Sequence, residues 1–192
     1  HINVDTGMSR LGFYFQDVDR DAAAVAEIAA ACRLPGLMPE GIFTHFAVAD
    51  GGRAGEDFTA HQLGCFSTLI EKLGREGITF PIRHCANSGA TLDYPASHMD
   101  MVRAGVILYG LEPSADVLHP GDFRPVLSLR SVISHIKAVE PGSDISYGRT
   151  YTAQSRIRVA TIPIGYADGY SRQLSGRGSI LVHGVRCPIL GK

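Results

Sequence analysis

Apolar runs alternate with segments of helical periodicity over the first two thirds of the chain. Four runs have the length and composition of strands: residues 2–4, 41–46, 82–85 and 101–108. Three segments show helical spacing or a helix start: residues 19–32, 56–73 and 88–92. Strands that alternate with helices of this length predict βαβ units and a parallel sheet. Four consecutive units fit half of a (β/α)8 barrel.

The pattern changes after Tyr109-Gly110. A linker-like stretch carries Pro113, Pro120, Gly121 and Pro125. No amphipathic helix follows, whereas residues 126–139 and 157–164 alternate in polarity, and an apolar run at 180–185 contains a turn signal at His183-Gly184. We therefore predict an α/β protein with two domains, a partial barrel over residues 1–119 and a partial, mostly β domain over residues 120–192.

Composition narrows the classes of partner. The chain has 192 residues with 45% hydrophobic content, and its 18 basic and 19 acidic residues give a net charge of −1. This balance provides no electrostatic footprint for nucleic acid or an anionic membrane, and no run reaches membrane-span length. The four cysteines are scattered, which predicts reduced and mostly buried thiols. A cytoplasmic protein with a small-molecule ligand is expected.

The two ends of the chain predict that it is part of a longer protein. His1 rather than Met opens the chain, and the first residues already have the pattern of a strand and loop. Residues 188–192 follow directly on an apolar run, without the composition of a tail. We therefore expect ordered structure on both sides of this segment.

Polar residues follow the predicted barrel strands. Arg10 lies past the first strand, His45 ends the second, Ser88 follows the third, and Arg103 lies at or beyond the start of the last. Each residue alone is weak evidence for a functional site, because a lone strand-end histidine is more often structural and a lone arginine usually pairs at the surface or caps a helix. Since barrel sites are assembled at the carboxyl ends of the strands, their shared placement predicts one site.

A phosphate site is one interpretation of the segment around Ser88. The segment His84–Gly89, which contains Ser88, runs from a strand into a helix start, where N–H groups and the helix dipole favour an anion. The alternative is that Ser88 or Asn87 is only a helix N-cap, which this segment alone favours. Gly105, close after Arg103, would let backbone N–H groups approach a ligand. Two such loops side by side favour the phosphate interpretation.

Other chemistries receive less support. The triplet Asp5-Thr6-Gly7 resembles an aspartic-protease motif, but such a protease needs a second carboxylate copy and an all-β architecture. The histidines do not fall at zinc-site spacings, so no metal is expected. The glycine-rich segments match no phosphate-loop or dinucleotide fingerprint. The loop tyrosines Tyr147 and Tyr166 would, by pattern alone, be packing residues.

Several segments resemble, in order and spacing, the motifs of bacterial alanine racemases. They are Asp5–Gly12, Thr44–Ala47, His84–Ser88, Met101–Gly110, Ser146–Gly148 with Tyr151–Ala153, and Ile164–Gly169. The resemblance covers essentially the whole chain. It implies a fold-type III pyridoxal 5'-phosphate enzyme, with the C-terminal half of its (β/α)8 barrel and the start of its β domain represented here.

The resemblance also implies residue roles for a two-base interconversion of L- and D-alanine. Tyr147 would be the acid/base on one face of the substrate Cα, and a cofactor-binding lysine would serve the other face. His45 would hydrogen-bond that tyrosine, and Arg103 would keep positive charge nearby, which favours phenolate. Arg103 would also face the pyridine nitrogen, and as a permanent cation it cannot protonate that nitrogen.

The remaining implied contacts concern cofactor and substrate. Ser88 with the backbone at Gly105 and Val106 would bind the phosphate, and Tyr166 would belong to the substrate entryway. Arg10 would contact the cofactor's phenolic oxygen and the substrate carboxylate. Where many family members have a carbamylated lysine, this chain has Asn3, which leaves open what orients Arg10; a bound anion is one possibility.

The cofactor-binding lysine is expected upstream of His1. The three lysines of the chain lie outside the barrel strand ends: Lys72, Lys137 and Lys192. We therefore expect residues 1–192 alone to be inactive, within a homodimeric, cytoplasmic enzyme whose sites are composite and whose D-alanine supplies peptidoglycan. The alternatives are a serine or broad-specificity racemase and a non-catalytic pyridoxal-phosphate-binding barrel protein.

Overall fold

The computed structural model describes residues 1–191, so the predicted position of Lys192 in the β domain lies outside the described residues. The chain divides into two compact units, His1–Leu127 and Ser128–Lys192. The predicted boundary at residue 120 stays a prediction.

The first unit alternates strands and helices. Its strands are β1 (Ile2–Asp5), β2 (Phe13–Tyr14), β3 (Gly41–Phe43) and β4 (Ile82–His84). Its α-helices are α1 (Ala23–Cys32), α2 (Glu56–Arg75) and α3 (Ser88–Asp93). The strands form one sheet in the order β2-β1-β3-β4, and all three pairings are parallel. The predicted α/β arrangement of parallel strands and helices is therefore confirmed.

The core of this unit lies between the sheet and the two longer helices. The side chains buried there are nearly all apolar and include Val4, Phe15, Ile28, Ile42, Phe66, Leu69 and Leu73. In α2 the buried positions 59, 62, 66, 69 and 73 recur every three or four residues, as expected for a helix with one face on a sheet. This packing holds the carboxyl ends of β1 and β3 in fixed positions beside α2.

Two predicted elements differ from the structure. The helix predicted from residue 19 begins at Ala23, because the Asp21 carboxylate accepts the N–H groups of Gln16 and Asp17 and holds the preceding segment in turns. The strand predicted at 101–108 is wrong. The Arg103 N–H donates to the Ala86 carbonyl, but the chain bends at Gly105 into a 3-10 helix, Val106–Tyr109.

The second unit contains short antiparallel pairs. The pairs are β5 (His135–Val139) with β8 (Ile157–Thr161), β6 (Asp144–Ile145) with β7 (Tyr151–Thr152), and β9 (Ser179–Val182) with β10 (Val185–Pro188). The predicted turn at His183-Gly184 is confirmed, since both residues have positive φ, as tight hairpins require. The strand predicted from residue 126 begins only at His135. Within the described part of this unit the helices are short 3-10 turns.

Two further sequence expectations concern thiols and membranes. All four cysteines are free; Cys65 and Cys85 are buried, whereas Cys32 and Cys187 are half-buried, so only two of the four match the expected burial. No helix among residues 1–191 combines the length and apolar character needed to cross a bilayer.

Candidate active site

The loop after β1 carries Arg10 and is fixed by one carboxylate. The buried Asp5 side chain accepts the N–H groups of Gly7 at 3.0 Å and Ser9 at 2.9 Å. Gly7 has a φ of +141°, and a Cβ there would lie 2.8 Å from the Phe58 ring. Glycine is therefore required for the chain to turn away from the strand at this point.

The guanidinium of Arg103 is the centre of the polar cluster. It approaches Nδ1 of His84 at 2.6 Å and Nδ1 of His45 at 3.2 Å, and it donates to the Thr44 carbonyl at 2.8 Å. It also lies 5.3 Å from the centroid of the Phe43 ring. The half-buried cation is thus held by groups from the ends of β3 and β4.

The protonation of His84 follows from its partners. Arginine has no acceptor, so Nδ1 of His84 must offer a lone pair, and the proton of the neutral ring is on Nε2. Nε2 lies 2.8 Å from Nδ1 of His1, to which it donates. Burial and the Arg103 charge lower the pKa of His84 to about 4, so the ring is neutral at pH 7.

His45 obeys the same logic at the end of β3. Its Nδ1 accepts from Arg103, which places the proton of the neutral ring on Nε2. Burial, then the charges of Arg103 and Arg10, lower the pKa of His45. A neutral imidazole with an Nε2–H next to a fixed cation is suited to donate to an anionic oxygen, such as a phenolate.

Arg10 and His45 line the same cavity. It has a volume of about 190 Å³, and Asn3, Met8 and Phe43 contribute to its wall. The Asn3 amide donates to the Leu11 carbonyl at 3.2 Å, so it anchors the chain directly after Arg10. A larger cavity of about 290 Å³, lined by residues such as Asp17, His61 and Cys65, contains none of the predicted site residues.

The segment after β4 brings Ser88 beside Gly105. The Gly105 N–H donates to Ser88 Oγ at 2.8 Å, and a Cβ at Gly105 would lie 3.5 Å from that oxygen. The N-cap of α3 is Asn87, whose Oδ1 accepts the Ala90 N–H at 3.0 Å. Since Asn87 caps the helix, the Ser88 hydroxyl retains its own proton for a ligand, and a side chain at 105 would fill the space in front of it.

The two tyrosines lie in the second unit. Tyr147 is 78% exposed and starts the 3-10 turn Tyr147–Arg149 between β6 and β7. Asp144 closes this hairpin through an ion pair with Arg149 and a 2.7 Å hydrogen bond from Thr152. Tyr166, 59% exposed, lies under the Arg172 guanidinium at 5.4 Å. The first unit therefore brings together Arg10, His45 and Arg103, with Ser88 beside Gly105 and Val106 directly following, whereas both tyrosines belong to the other unit.

The structure adds three residues to the site to which the sequence pattern assigned no role: His84, Thr44 and Gln62. His84 ends β4, so the strand-end rule that selected His45 could have found it. The Thr44 carbonyl binds Arg103 and the Gln62 amide binds the His45 carbonyl, contacts that no local pattern indicates. Among residues 1–191 no group of three or more histidine, cysteine, aspartate or glutamate side chains has metal-site geometry.

A parallel α/β unit with arginine, histidine and serine side chains beyond its strand ends is the arrangement of a (β/α)8-barrel enzyme. The family model for the alanine racemase N-terminal domain matches residues 1–113, and that for the C-terminal domain matches residues 126–192. The chain belongs to the alanine racemase family, whose members depend on pyridoxal phosphate. Its fold is accordingly the C-terminal half of a barrel followed by the start of a β domain.

Relatives of known name include alanine racemases and a histidine racemase. The chain is 45% identical over 194 residues to an alanine racemase of Desulforamulus reducens and covers 50% of that protein. It is 40% identical to the solved alanine racemase of Clostridium difficile 630, with a TM-score of 0.83, covering 97% of this chain and 47% of that one. A histidine racemase of Leuconostoc mesenteroides subsp. sake is 31% identical, with a TM-score of 0.78, covering 99% of this chain and 49% of that one. The chain spans about half the length of the relatives it matches.

Proposed function

We propose that the full-length protein containing this chain interconverts L- and D-alanine with pyridoxal 5'-phosphate as cofactor. The observation that carries this proposal is the Arg103 guanidinium, which reaches His45 and His84 at once. A fixed cation next to a neutral imidazole favours the anionic form of a phenol that approaches the imidazole. Family membership supports the same reaction.

The residues of the first unit fit the cofactor. Ser88 Oγ, Gly105 and the following Val106 form a small cradle in which a phosphate would replace the missing side chain at 105. Arg103 would face the pyridine nitrogen and hold it unprotonated, because a guanidinium has no proton to give at neutral pH. When bound, the cofactor makes the substrate Cα–H acidic by withdrawing electrons from it.

The proton on one face of Cα would be handled by Tyr147. A phenol has an ordinary pKa of about 10, so it needs assistance to serve as a base. His45 Nε2–H would donate to the phenolate oxygen, and Arg103 would hold His45 in that tautomer through Nδ1. Arg10, in the same cavity as His45, would bind the substrate carboxylate, and Tyr166 would line the entryway.

The base on the other face would be a lysine outside residues 1–192. Lys72 lies in α2 and donates to the Val18 carbonyl at 2.6 Å, and Lys137 lies in β5. Neither follows a strand of the first unit. We expect the full-length protein to supply this lysine from the first barrel strand and residues 1–192 alone to be inactive.

Replacing Tyr147 by phenylalanine in the full-length protein tests the proposal. Because the phenol oxygen carries the proton, kcat/KM should fall by orders of magnitude in at least one direction. Exchange of the alanine Cα proton in D2O, followed by NMR from both enantiomers, measures it. Tyr151→Phe, in the same hairpin, is the matched control and should retain activity. Unchanged turnover by Tyr147→Phe would refute the two-base assignment.

A second candidate is racemisation of another amino acid. The similarity to a histidine racemase favours it, because that protein matches the chain over the same units. Serine is a further alternative substrate. Comparing kcat/KM for alanine, serine and histidine separates them, and we expect alanine to be preferred. A non-catalytic barrel protein receives less support, because residues 126–192 match the racemase C-terminal domain.

We further propose a cytoplasmic homodimer that makes D-alanine for peptidoglycan. The exposed position of Tyr147 supports composite sites, in which this side chain enters the site of the other subunit. Sedimentation of the full-length protein tests the dimer, and cell fractionation tests the location. Deletion of the gene tests the supply of D-alanine for peptidoglycan, because the cells should then need added D-alanine to grow.

A further inference from the structure

Two polar side chains, Thr59 and Gln62, lie on the buried face of α2, and Gln62 is the larger. Gln62 has no exposed surface, although its helix neighbours on that face, such as Phe66 and Leu69, are apolar. Its Oε1 accepts the Ala47 N–H at 2.9 Å, and its Nε2 donates to the His45 carbonyl at 3.1 Å. The amide therefore bridges the main chain on both sides of Phe46 and closes the turn that carries His45.

The same amide reaches the first strand. Nε2 of Gln62 also donates to Thr6 Oγ1 at 3.3 Å, and Thr6 Oγ1 lies 2.7 Å from Thr44 Oγ1. Both threonines are fully buried. Thr6 follows Asp5, whose carboxylate fixes the loop to Arg10, and the Thr44 carbonyl accepts from Arg103. One buried network thus contacts the main chain beside Arg10, His45 and the carbonyl that binds Arg103.

We propose that Gln62 is a positioning residue that joins the Arg10 loop to the His45 segment and thereby sets the spacing of the site. This inference rests on the proposed function. Gln62 uses two N–H groups and one oxygen lone pair, and all three are buried. A buried polar group that lost its partner would be costly. The network is therefore rigid, and side chains that must meet one small substrate from two strands need such rigidity.

Gln62→Met in the full-length enzyme removes the three hydrogen bonds at nearly constant volume. We expect kcat/KM for alanine to fall by about tenfold or more, because a displacement of His45 relative to Arg10 is felt by the reacting atoms. Hydrogen exchange of peptides covering residues 41–50 should increase, since the Ala47 N–H loses its acceptor. Thr59→Val is the matched control, because Thr59 is buried on the same helix beside Tyr94 and should leave both measurements unchanged.

Gln62→Glu separates positioning from packing. A protonated carboxyl can still donate to the His45 carbonyl and accept from Ala47, whereas the ionised form has no donor. Burial raises the pKa of a carboxyl, so rescue should grow as pH falls. The groups around the network that also titrate or carry charge are Asp5, His45 and Arg103. Dividing each rate by the wild-type rate at the same pH removes their shared contribution.

Each outcome decides the proposal. Activity of Gln62→Glu well above that of Gln62→Met at the lowest pH of the assay supports it, even where the Met variant is unstable. A Met variant within twofold of wild type, or a Glu variant as impaired as the Met variant at every pH, overturns it. Absence of alanine racemisation by the wild type refutes the proposed function instead, and the exchange measurement still tests the junction of the two loops.

Discussion

At the scale of single residues, Arg103 dictates the state of its neighbours. A guanidinium offers only donors, and burial lowers the pKa of Arg103. Every group in contact must therefore accept, which fixes both His45 and His84 as neutral rings with Nδ1 unprotonated. The cluster concentrates a single positive charge and excludes a second one.

Because a second positive charge next to Arg103 is unfavourable, we predict that the fold is less stable at acidic pH, where His84 becomes protonated. The pKa of His84 is lowered from 6.5 to about 4, so between these values the unfolded chain binds more protons than the folded one. The contribution of neutral His84 to the free energy of unfolding is then present in full above pH 6.5. It is lost as pH falls toward 4, which lowers the free energy of unfolding by roughly 2 to 3 kcal/mol. The urea midpoint of the full-length protein, at constant protein concentration, measures it. His84→Asn retains an acceptor for Arg103 and should flatten this dependence; an unchanged slope would contradict the assignment.

Position along the chain was sufficient to select Arg10, His45 and Arg103 as candidate site residues. In the structure Arg10 and His45 follow β1 and β3 and line one cavity, whereas Arg103 lies outside the strands and reaches Nδ1 of His45 at 3.2 Å. Gln62 has no such signal. Apolar character along α2 does not identify it, because the apolar Phe58 is 43% exposed whereas the polar Gln62 is fully buried. Its partners belong to other strands and depend on tertiary packing.

At the scale of elements, periodicity located the helices and strands better than their ends. α2 begins at Glu56 as predicted because buried positions repeat along it. α1 starts four residues late because a side-chain carboxylate holds the preceding turns. The apolar run at 101–108 is not a strand, since Gly105 redirects the chain and the Arg103 N–H reaches the Ala86 carbonyl, beyond the end of β4. Apolar composition alone does not predict a strand, because ladder pairing also needs a neighbour in register, and Met101, Val102 and Leu108 of this run are exposed.

The start of α3 offers a prediction at this scale. Asn87 Oδ1 accepts the Ala90 N–H, so Asn87→Ala should cost about 1 kcal/mol by leaving that donor unpaired at a buried helix start. Asn87→Ser retains an oxygen acceptor and should cost less. Chemical denaturation of the full-length protein measures both variants. Equal losses in the two variants would mean that Asn87 acts through other contacts.

At the scale of the whole molecule, the proposed chemistry is divided between two units. The cation and histidines lie within His1–Leu127, whereas Tyr147 lies in the second unit. The sequence pattern predicted the half barrel and the β domain, and it favoured a phosphate site. The reaction itself could not be derived from the pattern, because an exposed loop tyrosine resembles any packing residue until its family motif is considered.

The division between units predicts complementation between inactive subunits. Subunits with Tyr147→Phe retain the barrel side of the site, and subunits with Arg10→Ala retain the tyrosine. If Tyr147 enters the partner's site, each mixed dimer contains one intact site and one doubly altered site. Random reassembly of equal amounts should therefore restore about a quarter of wild-type racemisation, because half of the dimers are mixed and half of their sites are whole. Either variant reassembled alone is the control. If Tyr147 instead serves its own subunit, every site has one defect and mixing restores nothing.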